Sequence, residues 1–452
     1  MHSVRAWVRA LRRMMNGQFN PLSVRGIPVT YKPLLILQAI FLLAVPFYAS
    51  AQASSAPCNP RQFGAKADGV TKDTVAIQAA IDSCATHGGT VVLSAGTYVS
   101  APIVLKSNIT LQLDKGATLL GSPDHADYPP MTIFHVPDIQ PLVSALNATN
   151  VAITGDGTID GNGESWWIEA RANKGSGILG SSHPRPDLII FDHCKHVRVE
   201  GITIQNSPMW QLVPYYTDDM VISHIRVLAP QHSPNTDAVD PFSSSNIRID
   251  HLYADVGDDD IAIKSGPINS PGPDDPSRDI SISDCTFKHG HGLSIGSELS
   301  GGARNIHAER VSFEGTDNGI RIKANRDRGN DVGNFSFRDI TMKDVKNPII
   351  ISEYYPKVLP EAGEGPQPIT RLTPHFHDIV LENVTASGAE TAAVIIGLPE
   401  SPVAGVVLRN VKISGKHGMT VGYAQVAGEG LVVQADEGQS ITSVVGGKLT
   451  LK

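Results

Sequence analysis

Short β-rich runs recur along this chain and can be laid over one another, which restricts the fold more than any other feature. One set comprises "NIRIDHLYA" (246–254), "DISISDCTF" (279–287), "NIHAERVSF" (305–313) and "NFSFRDITM" (334–342), continued by "DIVLENVTA" (378–386) and "GVVLRNVKI" (405–413). A second set comprises "TDAVDPF" (236–242), "DDDIAIK" (258–264), "GHGLSIG" (290–296) and "DNGIRIK" (317–323). Units repeat about every 26 to 33 residues, except where the Pro/Gly-rich insertions 266–279 and 355–374 intervene. Units of two or three strands without crossover helices predict an all-β solenoid, a parallel β-helix with coils about 4.8 Å apart, rather than a sandwich or propeller. The 42 glycines suit such a turn-rich chain.

Stacking places equivalent positions of successive units above one another. Asp237, Asp259, His291 and Asn318 share one column; Asp240, Ala262, Ser294 and Arg321 share a second; Phe242, Lys264, Gly296 and Lys323 share a third. The apolar column Val239, Ile261, Leu293 and Ile320 lies between them and faces the core. A strip of surface is therefore expected to carry carboxylates, an imidazole and cations on adjacent rungs. Two carboxylates on neighbouring rungs can cleave a glycosidic bond, one donating a proton to the leaving oxygen while the other activates water; a wide gap gives inversion, a narrow one retention. Crowded carboxylates also raise the pKa of one member, keeping it protonated as the acid.

In this order, "NTDAVDP", "GDDDIAIKSG" (257–266), "GHG" (290–292) and "RIK" (321–323) resemble the four signatures of the polygalacturonases, glycoside hydrolase family 28. "FGAKADGV" (63–70), "GDGTIDGNG" (155–163), "NSPMWQL" (206–212) and "TPHFHDI" (373–379) also look like segments of its bacterial members, so the resemblance spans the mature chain. It implies a right-handed parallel β-helix that hydrolyses α-1,4-linked galacturonate with inversion, needs no cofactor or metal, and takes an acidic polysaccharide as its partner. Carried over residue by residue, Asp258 is the general acid, Asp237 and Asp259 position and deprotonate water, and His291 supports the acid's protonation. Arg321 and Lys323 hold a substrate carboxylate, with Asn235 among the substrate-binding residues. Tyr355 borders the cleaved sugar, Tyr354 being the alternative. Arg326 and Arg328, in "RIKANRDRG", resemble the exo-acting branch and would meet a chain end. Two positions depart from the usual pattern: Ala238 stands where glycine is usual, and Asp260 where cysteine or a small residue is.

Other readings remain open at this stage. Any single Asp could cap a β-helix corner through its backbone, and Asp258 to Asp260 could hold calcium, as in a calcium-dependent pectate lyase on a similar fold. Rhamnogalacturonan or a decorated galacturonan could be the substrate, and a non-catalytic carbohydrate-binding β-helix would show the same stacking. Trp166, Trp167 and Trp210 could each serve as sugar platform or as packing.

Residues 1–51 read as an export signal. Six Lys/Arg residues precede the apolar run "PLLILQAIFLLAVPFY" (33–48), and "ASA" (49–51) supplies small residues for cleavage. The run is too short for a comfortable membrane span, so the chain is expected to be exported, secreted or periplasmic, with no stable membrane insertion after cleavage, as a monomer in which residues 52–452 form one β-helix catalytic domain. A net charge of −8 gives no general attraction to nucleic acid or to an anionic membrane. Among four cysteines, Cys58 and Cys84 are the expected disulfide pair, and Cys194 and Cys285 fall in strand-like stretches as small core residues. No Cys-x-x-Cys or Cys/His spacing suggests zinc. Asp73–His87 carries Val75, Ile77, Ala80 and Ile81 at helical spacing before Gly88-Gly89, a helix suited to cap the solenoid.

Overall fold

The computed structural model describes residues 58–173, 181–360 and 364–452. The predicted export segment 1–51 lies outside the described residues. Strand after strand pairs in parallel with its counterpart one coil away: Asp218–Ser223 with Ser245–Asp250, the latter with Ser277–Ser283, then Ala303–Glu309, Asp331–Lys343, His375–Ile396 and Val403–Gly422. The result is a right-handed parallel β-helix. Its interior is a set of stacked columns, one of which runs Val197, Met220, Ile247, Ile280, Ile306, Phe335, Ile379 and Val406, all buried.

Each coil turns its corners with a residue at positive φ. One corner column holds His196, Asp219, Asn246, Asp279, Asn305, Asn334 and Asp378, and another holds His224, His251, Asp284, Arg310, Asp339, Asn383 and Asn410. Asn and Asp tolerate this left-handed conformation because their short polar side chains bond locally. Here they also bond along the stack, as Asn305 Nδ2 donates to Asp279 Oδ1 at 2.8 Å and Asn410 Nδ2 to Asn383 Oδ1 at 2.8 Å. Asn334 and Asn383, which open the tripeptides Asn-Phe-Ser and Asn-Val-Thr, thus have a backbone reason for their asparagine.

The capping helix forms at Thr74–Ala85, slightly shorter than predicted. It buries the predicted Ile77, Ala80 and Ile81 together with Ala76 and Cys84, whereas the predicted Val75 is 84% exposed. Cys58 and Cys84 are disulfide-bonded, and Cys194 and Cys285 are free and buried.

Two elements have no counterpart in the sequence reading. A nine-residue helix, Glu164–Ala172, buries Trp166 and Trp167; Trp167 Nε1 donates to Ser207 O at 2.9 Å and Trp166 stacks on His125. Both tryptophans are therefore packing residues. The helix is too short for its apolar period to stand out. An antiparallel hairpin, Pro130–Ile133 with Val136–Ile139, turns through Phe134 and His135 at positive φ. It drives Phe134 into a side cluster with Trp210, Tyr215 and Phe242.

Candidate active site

The second strand ladder builds the site. Ile261–Ile263 pairs with Leu293–Ile295, and that with Asn318–Lys323, in the register Ala262 to Ser294 to Arg321. Phe242 bridges to Lys264 in the same direction. Ile261, Leu293 and Ile320 face the core, and Ala262, Ser294 and Arg321 face out, matching the predicted columns.

The three consecutive aspartates meet three different environments. Asp258, on the corner before the strand, keeps 23% of its side chain exposed. Its Oδ1 lies 2.9 Å from His291 Nδ1 and accepts the Asp259 backbone N–H at 3.0 Å. Asp259 is buried and fully engaged: Oδ1 accepts from Ser294 Oγ at 2.8 Å and Arg321 Nη2 at 2.5 Å, and Oδ2 accepts from Lys323 Nζ at 2.9 Å. Asp260 turns inward, its Oδ2 accepting the Gly292 backbone N–H at 3.0 Å and its Oδ1 lacking a partner among the described residues. Asp258 and Asp259 bring oxygens within 4.8 Å of each other and of a His291 nitrogen, but Asp260 turns away from them, and Arg321 and Lys323 already neutralise Asp259. Calcium bound by this triplet is not what the geometry offers.

Asp237 and Asp240 come from the preceding coil. Both are buried, and between them lies Lys264, whose Nζ is 3.7 Å from Asp237 Oδ2, 3.6 Å from Asp240 Oδ1 and 3.9 Å from Glu298 Oε2. The same ammonium stands 5.0 Å from the Trp210 ring. Sequence reasoning put Lys264 in its column but gave it no role, and it passed over Glu298. The clue was available for Lys264, since its column is otherwise occupied by site residues.

Electrostatics divide the carboxylates. Burial raises Asp237 well above the ordinary carboxylate range, with Asp240 and Asp258 adding repulsion. Burial likewise raises Asp240 despite Lys264, and raises Asp260 despite its backbone bond. For Asp259 burial opposes ionisation, but Arg321, Lys323 and Lys264 overcome it and hold the group ionised far below the usual range. For Asp258 burial is again outweighed, here by the hydrogen bond and charge of His291, and the pKa lies below the ordinary value. His291 is correspondingly raised, because its bond to Asp258 outweighs its own burial. The crowding argument expected Asp258 to be the carboxyl raised; in the free protein the elevation falls on its buried neighbours, and the proton near Asp258 rests on the imidazole.

These groups border a cleft of about 450 Å³. Asn235, Asp237, Asp258, Asp259, Lys323, Arg328 and Tyr355 all reach its wall, as do Trp210, Lys264 and Glu298. His291 and Arg321 stand behind that wall, contacting Asp258 and Asp259. Tyr355 is placed with its ring 5.2 Å from Lys323 Nζ and 5.6 Å from the Arg328 guanidinium, whereas Tyr354 is buried in a separate cluster. Arg326 lies elsewhere. Its guanidinium is committed to Glu400, at 2.6 Å, and to Glu364, and it does not reach the cleft. Adjacent residues of an irregular loop need not share a direction, so "NRDRG" could not reveal which arginine faces substrate.

Arg185 is a second residue that the sequence did not flag. Buried beside the site, it donates to Pro208 O at 2.6 Å, Pro234 O at 2.9 Å and Asn235 Oδ1 at 2.6 Å, tying down the turn that carries Asn235 and Asp237. No local pattern in "SSHPRPD" announces it.

Known proteins resemble the chain throughout this framework. The family model for glycosyl hydrolases family 28 matches residues 74–429. A probable polygalacturonase of Vitis vinifera is 32% identical, the match covering 78% of this chain and 73% of the relative. An endo-polygalacturonase of Pectobacterium carotovorum subsp. carotovorum is 31% identical over 77% of this chain and 86% of its own. Among solved structures, a hyperthermoactive exopolygalacturonase from Thermotoga maritima superposes with a TM-score of 0.75 at 28% identity, covering 84% of this chain and 92% of that one. The chain belongs to glycosyl hydrolases family 28 and is a glycoside hydrolase.

Proposed function

We propose that this enzyme hydrolyses α-1,4 bonds between galacturonate units of a pectic polysaccharide, with inversion and from a chain end, after export and removal of residues 1–51. The observation that carries the reading is the shared cleft in which Asp237, Asp258 and Asp259 meet Lys323, Arg328 and Tyr355. Asp258 is the acid, and it acts with His291 as a pair. In the free protein their common proton sits on His291; a galacturonate carboxylate entering the cleft penalises a charged Asp258 and draws the proton across the 2.9 Å bond. Asp259, kept ionised, is the base for water, and Asp237 orients that water. Lys323, at the cleft wall, spends part of its donor capacity on Asp259 and retains further N–H groups for substrate, while Arg321, behind that wall, holds Asp259 in place.

Attack from a chain end is supported by three irregular segments reaching the cleft: Pro267 and Ile268 of one insertion, Tyr355 and Pro356 of the other, and Val136 of the hairpin. Arg328 adds a cation at the same place. Among the described residues no helix is long and apolar enough to cross a membrane, which accords with an exported hydrolase.

Incubation with defined galacturonate oligomers tests the reading. Reducing ends should appear with monomer as the sole early product and with no unsaturated, ultraviolet-absorbing sugar. Mixed product lengths would reject the exo reading, and an unsaturated product would reject hydrolysis in favour of elimination.

The proton pair gives a second test. Because His291 is raised above its ordinary value, the pair keeps one proton until pH rises through that elevated value. His291→Gln leaves Asp258 to hold the proton alone, so the alkaline limb of kcat/KM should move to lower pH, along with a drop in kcat. An alkaline limb that stays in place would remove His291 from the proton's path.

A further inference from the structure

No metal is expected from the sequence, yet two imidazoles and two carboxylates gather where the cleft-bordering loops return to the solenoid. His375 and His377 lie two apart at the start of the strand His375–Ile396, so their side chains share a face. The parallel register sets Asp331 opposite His375 and Gly333 opposite His377. His377 Nε2 is 3.0 Å from Asp331 Oδ1, and His375 Nδ1 is 3.7 Å from the same oxygen. One nitrogen from each ring and one oxygen of Asp331 all fall within 4.8 Å of one another. Ligand atoms about 2.0 Å from a tetrahedral zinc ion are about 3.3 Å apart, so small adjustments would suffice to close this set on a cation.

Two features go beyond chance proximity. His377 Nδ1 lies 2.8 Å from Asp378 Oδ2, the carboxylate–imidazole arrangement that fixes a metal-binding ring with its other nitrogen toward the ion. Position 333 is glycine, and a Cβ there would meet His377 Nδ1 at 2.8 Å, so the ring occupies space that any side chain would take. Among the described residues, Asp331 and Asp378 form ion pairs with these histidines alone. A second group, His224, Asp250 and His251, is weaker. Both of its histidines occupy positive-φ corners of the coil, and Asp250 is engaged by Arg248 and Ser223.

We propose that Asp331, His375 and His377 bind one divalent transition-metal ion of the zinc class, with Asp378 orienting His377. The ion would clamp two segments. Residues 324–330, carrying Arg328, end at Asp331, and insertion 355–374, carrying Tyr355 and Pro356, ends at His375. Backbone bonds already join the segments there, from Gly329 N to Leu372 O and from His375 N to Asn330 O, each 2.9 Å. The site thus belongs to the architecture of the cleft rather than to bond cleavage.

Chelator-treated protein titrated with Zn²⁺ near neutral pH, by calorimetry and by metal analysis after dialysis, should bind one equivalent at this site and gain thermal stability. His375→Ala, at a ring that is 55% exposed, and Asp331→Asn should each weaken binding by about tenfold or more and abolish the zinc-dependent rise in Tm, while leaving the metal-free Tm near the parent's. His251→Ala should leave this binding intact. Absence of saturable binding, undiminished affinity in the His375→Ala/Asp331→Asn double variant, or loss of the bound equivalent on His251→Ala would each overturn the assignment.

Discussion

Asp259→Asn is expected to cut kcat by about 10²- to 10⁴-fold, the range for loss of a positioned base, whereas Asp260→Asn, one residue along, should leave turnover near the parent's. The contrast follows from where the corner sends each side chain. Asp259 is the ionised partner of Arg321 and Lys323, and asparagine would leave both cations facing a neutral amide in a buried site. Asp260 points inward, is already favoured in its neutral form by burial, and uses one oxygen to accept from Gly292 N–H. Asparagine preserves that acceptor. The substitution also predicts a pH-dependent gain. A carboxyl whose folded pKa is raised stabilises fully below its unfolded pKa, near 3.9, and loses that contribution as pH rises through the folded value. Asparagine has no proton to lose, so the Tm of Asp260→Asn relative to the parent should climb with pH. Steady-state kinetics and thermal melts across pH check both halves; equal loss of turnover in the two variants would mean that the triplet had been assigned in the wrong register.

That triplet also shows how far the sequence could be read. Strict alternation carried back from Ile261 and Ile263 would turn Asp259 inward and Asp260 outward. The structure does the reverse, because residues 257–260 form a corner and the alternation restarts after it. Laying the units over one another still grouped Asp259 with His291, since stacking preserves register between coils even where parity breaks within one. Long-range partners were less legible. Lys264 draws its meaning from Asp237 and Asp240 on the previous coil and Glu298 on the next, and Arg185 from carbonyls one and two coils further along the chain. Arg326 and Arg328 show the same limit from the other side, as identical residues two apart in an irregular loop meet Glu400 in one case and the cleft in the other. The positive-φ corner columns were there to be found. Asn, Asp and His recur one place before the apolar column in most coils, a signal as periodic as the core itself.

Lys264→Met should destabilise the fold by about 3–5 kcal/mol, the usual consequence of removing one partner from a buried ionic cluster. The lysine is 4% exposed and its own pKa is raised, as the surrounding carboxylates outweigh the burial that would lower it. Without the ammonium, Asp240 retains two buried oxygens that lack hydrogen-bond partners among the described residues, and Asp237 retains one. Methionine fills the volume and can lie against Trp210, so the loss reads out charge rather than a cavity. Adding Asp240→Asn should recover part of it, because the double variant no longer asks an unpaired carboxyl to stay buried; coupling of about 0.5–3 kcal/mol is expected for neighbours in one network. Urea midpoints of the parent, both single variants and the double variant measure that coupling, and strictly additive values would show that Lys264 and Asp240 do not depend on each other. The same cation also moderates Asp237, so Lys264→Met should lower kcat even in the fraction that remains folded. Stability and turnover are thus linked here through one buried charge: the ammonium that lets acidic side chains from two coils share the interior also offsets part of the burial and repulsion that raise the pKa of the one that reaches the cleft.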